Sequence, residues 1–113
     1  MNYNDNKDLI TALQACIAAC NHCTIACLDE DDVKMMTSCI KLDIDCAEIC
    51  QLTLNFITRS SVHASHLLGE CAEICNACAD ECEKHAKHGM QHCRDCAEAC
   101  RKCASACGEM VTA

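Results

Sequence analysis

The chain has 113 residues, with sixteen cysteines, no proline, three glycines and a formal net charge of −8 at pH 7. That length has room for one hydrophobic core and reads as a single domain over residues 1–113. The acidity argues against a nucleic-acid partner, which would require a basic face.

The only aromatic residues are Tyr3 and Phe56, so the rings that usually dominate burial are missing. Cysteine, a small hydrophobe when buried, must do much of that packing. Residues 1–8 lack the basic and apolar regions of a secretory signal. No uninterrupted run of ~18 apolar residues is present to span a bilayer. The expectation is therefore a cytoplasmic protein with no membrane partner. In that reducing compartment a high cysteine count points to metal more than to a disulfide framework.

The first predicted helix covers about residues 5–28, with Asn4 or Asp5 as its N-cap and Asp8 favourable in its first turn. It carries Cys16, Cys20, Cys23 and Cys27. Asp29, Glu30, Asp31 and Asp32 form a short acidic connection. The second helix is expected over about 31–58 and bears Cys39, Cys46 and Cys50, with Asp43 on the seam between the first two. It also holds Ile40, Leu42, Ile44, Ile49, Leu52, Leu54, Phe56 and Ile57, too many apolar residues for one stripe. Two readings follow: a face packed on another subunit, or a crowded end of the core.

Ser60 or Ser61 is expected to cap a third helix over about 61–88, carrying Cys71, Cys75, Cys78 and Cys82, with His85 continuing the rhythm. Gly89 stands where a left-handed residue would end that helix. The fourth helix, about 90–110, carries Cys93, Cys96, Cys100, Cys103 and Cys107. Gaps alternating between three and four define the inward seam of a helix. Connections this short make neighbouring helices antiparallel, so the fold class is all-α: an up-down-up-down four-helix bundle with a cysteine-lined core.

Thiols at i and i+4 on one face are ~5–6 Å apart at Cβ. With metal–sulfur bonds of ~2.3 Å, a two-coordinate unit spans ~4.6 Å, within rotamer reach. The pairs are 16/20, 23/27, 46/50, 71/75, 78/82, 96/100 and 103/107. Soft thiolates select Cu(I). A zinc ion on four thiolates carries about −2, so four such sites would place roughly −8 in a dry core. Cu(I) matched one-to-one with bridging thiolates is neutral, giving a capacity of ~8 to ~16 ions. So many sites indicate storage, with no catalytic residues. The alternatives are a zinc or cadmium sponge resembling metallothionein, an iron–sulfur protein, whose cysteines ordinarily wrap a cluster in a loop, and a redox enzyme, which needs one or two activated thiols in an electropositive pocket.

Antiparallel stacking makes the two ends unlike. One end collects Cys27, Met35, Met36, Cys39, Cys82, His85, His88, Met90, His92 and Cys93. The other collects Leu9, Leu13, Phe56, Ile57, Val62, Leu67, Leu68 and Met110. The expectation is that copper loads at the first end through His85, Met36 and Met90. His88 and His92 read as surface residues near helix ends, and His63 and His66 as ordinary. Asp43 either turns to solvent by a small helix rotation or interrupts the metal column.

The pattern CxxxCxxCxxxC on the first and third helices, with CxxCxxxCxxCxxxC on the fourth, resembles the bacterial copper storage protein family, in its cytosolic branch. The resemblance spans essentially the whole chain. It implies a tetramer of four-helix bundles, many Cu(I) ions held by all sixteen cysteines inside each bundle, and histidine near the open end. The three cysteines and Asp43 of the second helix depart from the pattern.

Overall fold

The structure is a computed structural model and describes residues 4–112; Tyr3 lies outside them. A 3₁₀ turn at Asn4–Asn6 leads into α1 (Lys7–Leu28). A second 3₁₀ segment, Val33–Met36, precedes α2 (Thr37–Thr58), followed by α3 (Ala64–Ala86) and α4 (Gln91–Thr112). Each helix packs on its neighbour in sequence, and α1 closes the square against α4. The result is the up-down-up-down bundle expected, 45 × 19 × 19 Å.

Helix bounds differ from the sequence expectation at three turns. The second helix begins at Thr37, not near residue 31, because residues 33–36 take the tighter 3₁₀ path. This path turns Met36 fully inward and leaves Met35 55% exposed. Helix α1 starts after Asn6, whose side chain makes no capping hydrogen bond.

At the α2–α3 turn, Ser60 and Ser61 do not cap the third helix. Ser60 takes φ 54°. Its N–H bonds Ile57 O at 3.0 Å, and Ser61 N–H bonds Phe56 O at 3.0 Å. This is the paired 5→2 and 6→1 closure of a Schellman motif, with serine in the left-handed place usually given to glycine. Gly89 fills that conformation after α3, with φ 87°.

The seam positions converge on one core cluster containing all sixteen cysteines. Leu9, Ile10, Leu13, Ile57, Ala64 and Leu68 close one end of it. Phe56 and Met110 are partly buried against it. Val62 was expected in this plug but is 89% exposed in the turn.

Taken alone, α1 is long and apolar enough to meet the composition of a membrane span, with mean hydropathy 1.4. This qualifies the sequence reading. The hydropathy comes from alanine, isoleucine and cysteine distributed around the helix, and the cysteines face the other three helices.

Candidate metal centre

Period 3.5 on four antiparallel helices brings thiols from all of them to one axis. All sixteen are free and fully buried. Sulfur atoms touch along the whole column. Cys16 Sγ lies 3.7 Å from Cys46 and 3.8 Å from Cys100. Cys46 and Cys50 are each 3.6 Å from Cys75. Further along, Cys50 meets Cys71 at 3.7 Å and Cys103 at 3.8 Å.

These contacts form overlapping quartets, each with its sulfurs within 4.8 Å of one another. Cys20, Cys78, Cys96 and Cys100 make one. The next, Cys16, Cys20, Cys46 and Cys100, shares two sulfurs with it. A third, Cys16, Cys46, Cys50 and Cys75, shares two with the second. The fourth, Cys50, Cys71, Cys75 and Cys103, shares two with the third. Cys107 continues the column beyond Cys103 and Cys71, and interaction with these two thiols, with burial, pushes its own thiol well up. A sulfur that belongs to two quartets is placed to bridge ions, which is how a thiolate core approaches one metal per sulfur.

One carboxyl group stands among these sulfurs. Asp43 is fully buried on the axis. Its Oδ1 accepts from Cys78 at 3.2 Å, Cys96 at 3.3 Å and Cys82 at 3.7 Å. Its Oδ2 accepts from Cys39 at 3.8 Å. Burial, followed by the repulsion Cys96 and Cys78 would exert once ionised, pushes this carboxyl up to about 11. It is therefore a neutral acid in the metal-free protein. Of the two sequence readings, solvent exposure is ruled out: the residue stands in the column.

Beyond Asp43 lies a further quartet of Cys23, Cys27, Cys39 and Cys93, joined to the sulfurs alongside Asp43 by the 3.6 Å contact of Cys39 with Cys82. It shares no sulfur with the four quartets above. Burial pushes the Cys27 thiol up to about 12, with added repulsion from Cys39. Over this quartet sits His92. Its Nδ1 is 3.5 Å from Cys23 Sγ, 3.5 Å from Cys93 Sγ and 3.9 Å from Cys27 Sγ. Its Nε2 is 2.9 Å from Glu30 Oε1.

The sequence reading had made His92 a surface residue. That is corrected: its side chain is only 13% exposed. The missed signal was its place immediately before Cys93 at the start of α4, where the first turn overhangs the seam. His85 is buried, but its Nε2 reaches Glu81 Oε2 at 3.0 Å, and among the described hydrogen bonds it meets no sulfur. Met36 is fully buried and Met90 partly so, both against the core cluster. His88, His63 and His66 are exposed.

With this geometry in view, comparison with known proteins decides the family. A sequence model described as "Csp: Copper storage protein" matches residues 2–112. The chain belongs to the copper storage protein family. A structure described as Cu(I)-bound copper storage protein BsCsp3 superposes with a TM-score of 0.86 at 39% identity, covering 94% of this chain and 97% of that one. A cytosolic copper storage protein from Streptomyces lividans, solved with five coppers, gives a TM-score of 0.91 at 40% identity, covering 95% and 92%. A Bacillus subtilis (strain 168) relative, the uncharacterized cysteine-rich protein YhjQ, is 41% identical over 64 residues. That match takes in 57% of this chain and spans 59% of the relative's length.

Proposed function

We propose that this chain binds and stores many Cu(I) ions on the thiolates inside its bundle. The overlap of quartets carries this reading: Cys16, Cys20, Cys46, Cys50, Cys75 and Cys100 each belong to two of them. A tetrahedral Zn–thiolate site has S···S edges of ~3.8 Å, which any single quartet also fits. Sharing and charge separate the metals. Bridged Cu(I)–thiolate is neutral, whereas zinc on four thiolates leaves negative charge in a dry core.

The ligand set proposed is Cys16, Cys20, Cys23, Cys27, Cys39, Cys46, Cys50, Cys71, Cys75, Cys78, Cys82, Cys93, Cys96, Cys100, Cys103 and Cys107. His92 joins it at the mouth, while His85, Met36 and Met90 line the approach. The copper is cargo, and the chain acts as a single-domain, non-enzymatic container. The relative described as cytosolic supports a cytoplasmic location.

Self-association is part of the same reading. Ile44 and Leu52 of α2 and Ile25 of α1 are exposed. Ile17, Ile25, Ile44 and Ala47 line one groove between these helices, together with the polar Asn21, Thr24, Glu48 and Gln51. Its apolar half, with the exposed Leu52, supports an oligomer built on α2, a tetramer by the family resemblance.

The test is an anaerobic titration of the reduced protein with Cu(I) against a coloured Cu(I) chelator. Retention of well over ~8 ions per chain supports a bridged core. A plateau near four, or copper surrendered entirely to the chelator, overturns it.

A further inference from the structure

The acidic run at residues 29–32 has no role in holding copper, yet one of its members reaches across the mouth. Glu30 Oε1 lies 2.9 Å from His92 Nε2. The two residues are 62 positions apart, on the α1–α2 connection and the first turn of α4. A carboxylate accepts hydrogen bonds and cannot donate them, so Nε2 carries the proton. In the neutral ring Nδ1 is then proton-free, and it is Nδ1 that faces Cys23, Cys93 and Cys27.

We propose that Glu30 is a positioning residue for copper loading. Its hydrogen bond holds the His92 ring in one orientation and in the Nε2–H tautomer, presenting a free Nδ1 lone pair to the outer cysteine quartet. The proposal rests on the copper reading above. Carboxylate partners do this for histidine ligands generally, fixing tautomer and ring and raising basicity.

The buried histidine at this end is held the same way. His85 Nε2 meets Glu81 Oε2 at 3.0 Å. Two histidines, each turned by a glutamate on Nε2, make the arrangement a feature of this end of the bundle. Glu30 differs from Glu81 in one respect: it ties two separate elements together. It therefore sets the position of α4's first turn over the quartet as well as the ring.

The test compares the full-length reduced protein with its Glu30→Ala and Glu30→Gln variants. Glutamine keeps an acceptor oxygen and loses the charge. In the metal-free proteins, ¹⁵N shifts of the His92 ring report the tautomer. Stopped-flow mixing with a Cu(I)–chelator complex reports uptake of the first ions. Wild type and Glu30→Gln should show the Nε2–H pattern and the same uptake rate. Glu30→Ala should show averaged ring shifts and load about tenfold more slowly, with total capacity unchanged.

Wild-type shifts and rate in Glu30→Ala would overturn the proposal. So would equal slowing in both variants, which would make Glu30 a charge attracting the ion and not a hydrogen-bond partner. The tautomer is read without metal, so failure of the copper reading would be seen separately, as absence of uptake in all three proteins.

Discussion

Asp43 Oδ1 accepts a hydrogen bond from Cys78 Sγ at 3.2 Å, putting a carboxyl group into a column otherwise built of sulfur. Four thiols from three helices donate to its two oxygens, and its own carboxyl stays protonated at neutral pH. The inner quartets lie on one side of it and the His92 quartet on the other.

The pH dependence of the metal-free protein follows from this carboxyl. Its pKa rises from an ordinary 3.8 to about 11 on folding. Native Asp43 keeps its proton where the unfolded chain has lost it, so stability is fully present below the unfolded value and declines as pH rises towards the folded one. Denaturant midpoints between about pH 5 and pH 8 should fall with a contribution of up to ~1.4 kcal/mol per pH unit from this group. Asp43→Asn should remove that contribution. An unchanged slope in the variant would show that Asp43 is ionised in the fold.

Shared sulfurs should cost more copper than terminal ones. Cys46 serves two of the overlapping quartets, whereas Cys107 lies at the end of the column. Cys46→Ser should lower capacity by two or more ions, and Cys107→Ser by about one. Ions per chain by mass spectrometry under a fixed chelator challenge gives the comparison. Equal losses would argue for isolated two-coordinate sites.

Loading and capacity should separate at the mouth. His92→Ala should slow capture of the first ions about tenfold and leave the final count nearly intact. The combined change of His85, Met36 and Met90 to alanine should slow it less, since the hydrogen bond of His85 runs to Glu81 and not to a sulfur of the quartet. Stopped-flow uptake at substoichiometric copper distinguishes the two.

Ser60 offers a stability test independent of metal. A non-glycine residue at φ 54° pays ~1 kcal/mol or more for its Cβ. Ser60→Gly relieves this at some loss through the unfolded chain. A net gain of ~0.5 kcal/mol in metal-free stability is expected by urea denaturation, with copper capacity unchanged.

The seam was legible because thiols at helical spacing have few other uses, and period 3.5 determines which face they share. The copper family was legible for the same reason. His92 was not, because spacing locates a residue on its own helix and cannot show that Glu30, 62 positions away, pulls its ring over the mouth. Asp43 stayed ambiguous for a related cause: only four thiols donating from three helices make a buried carboxyl tolerable, and those partners are visible only in three dimensions. The Ser60 turn was misread because serine favours helix starts, and its role ending α2 depends on the backbone bonds to Ile57 and Phe56.

The most direct measurement is a native mass spectrum of the reduced, fully Cu(I)-loaded protein, counting both metal ions and displaced protons per chain. A bridged thiolate core predicts well over ~8 ions with about one proton lost for each. About four ions, each displacing several protons, would contradict it.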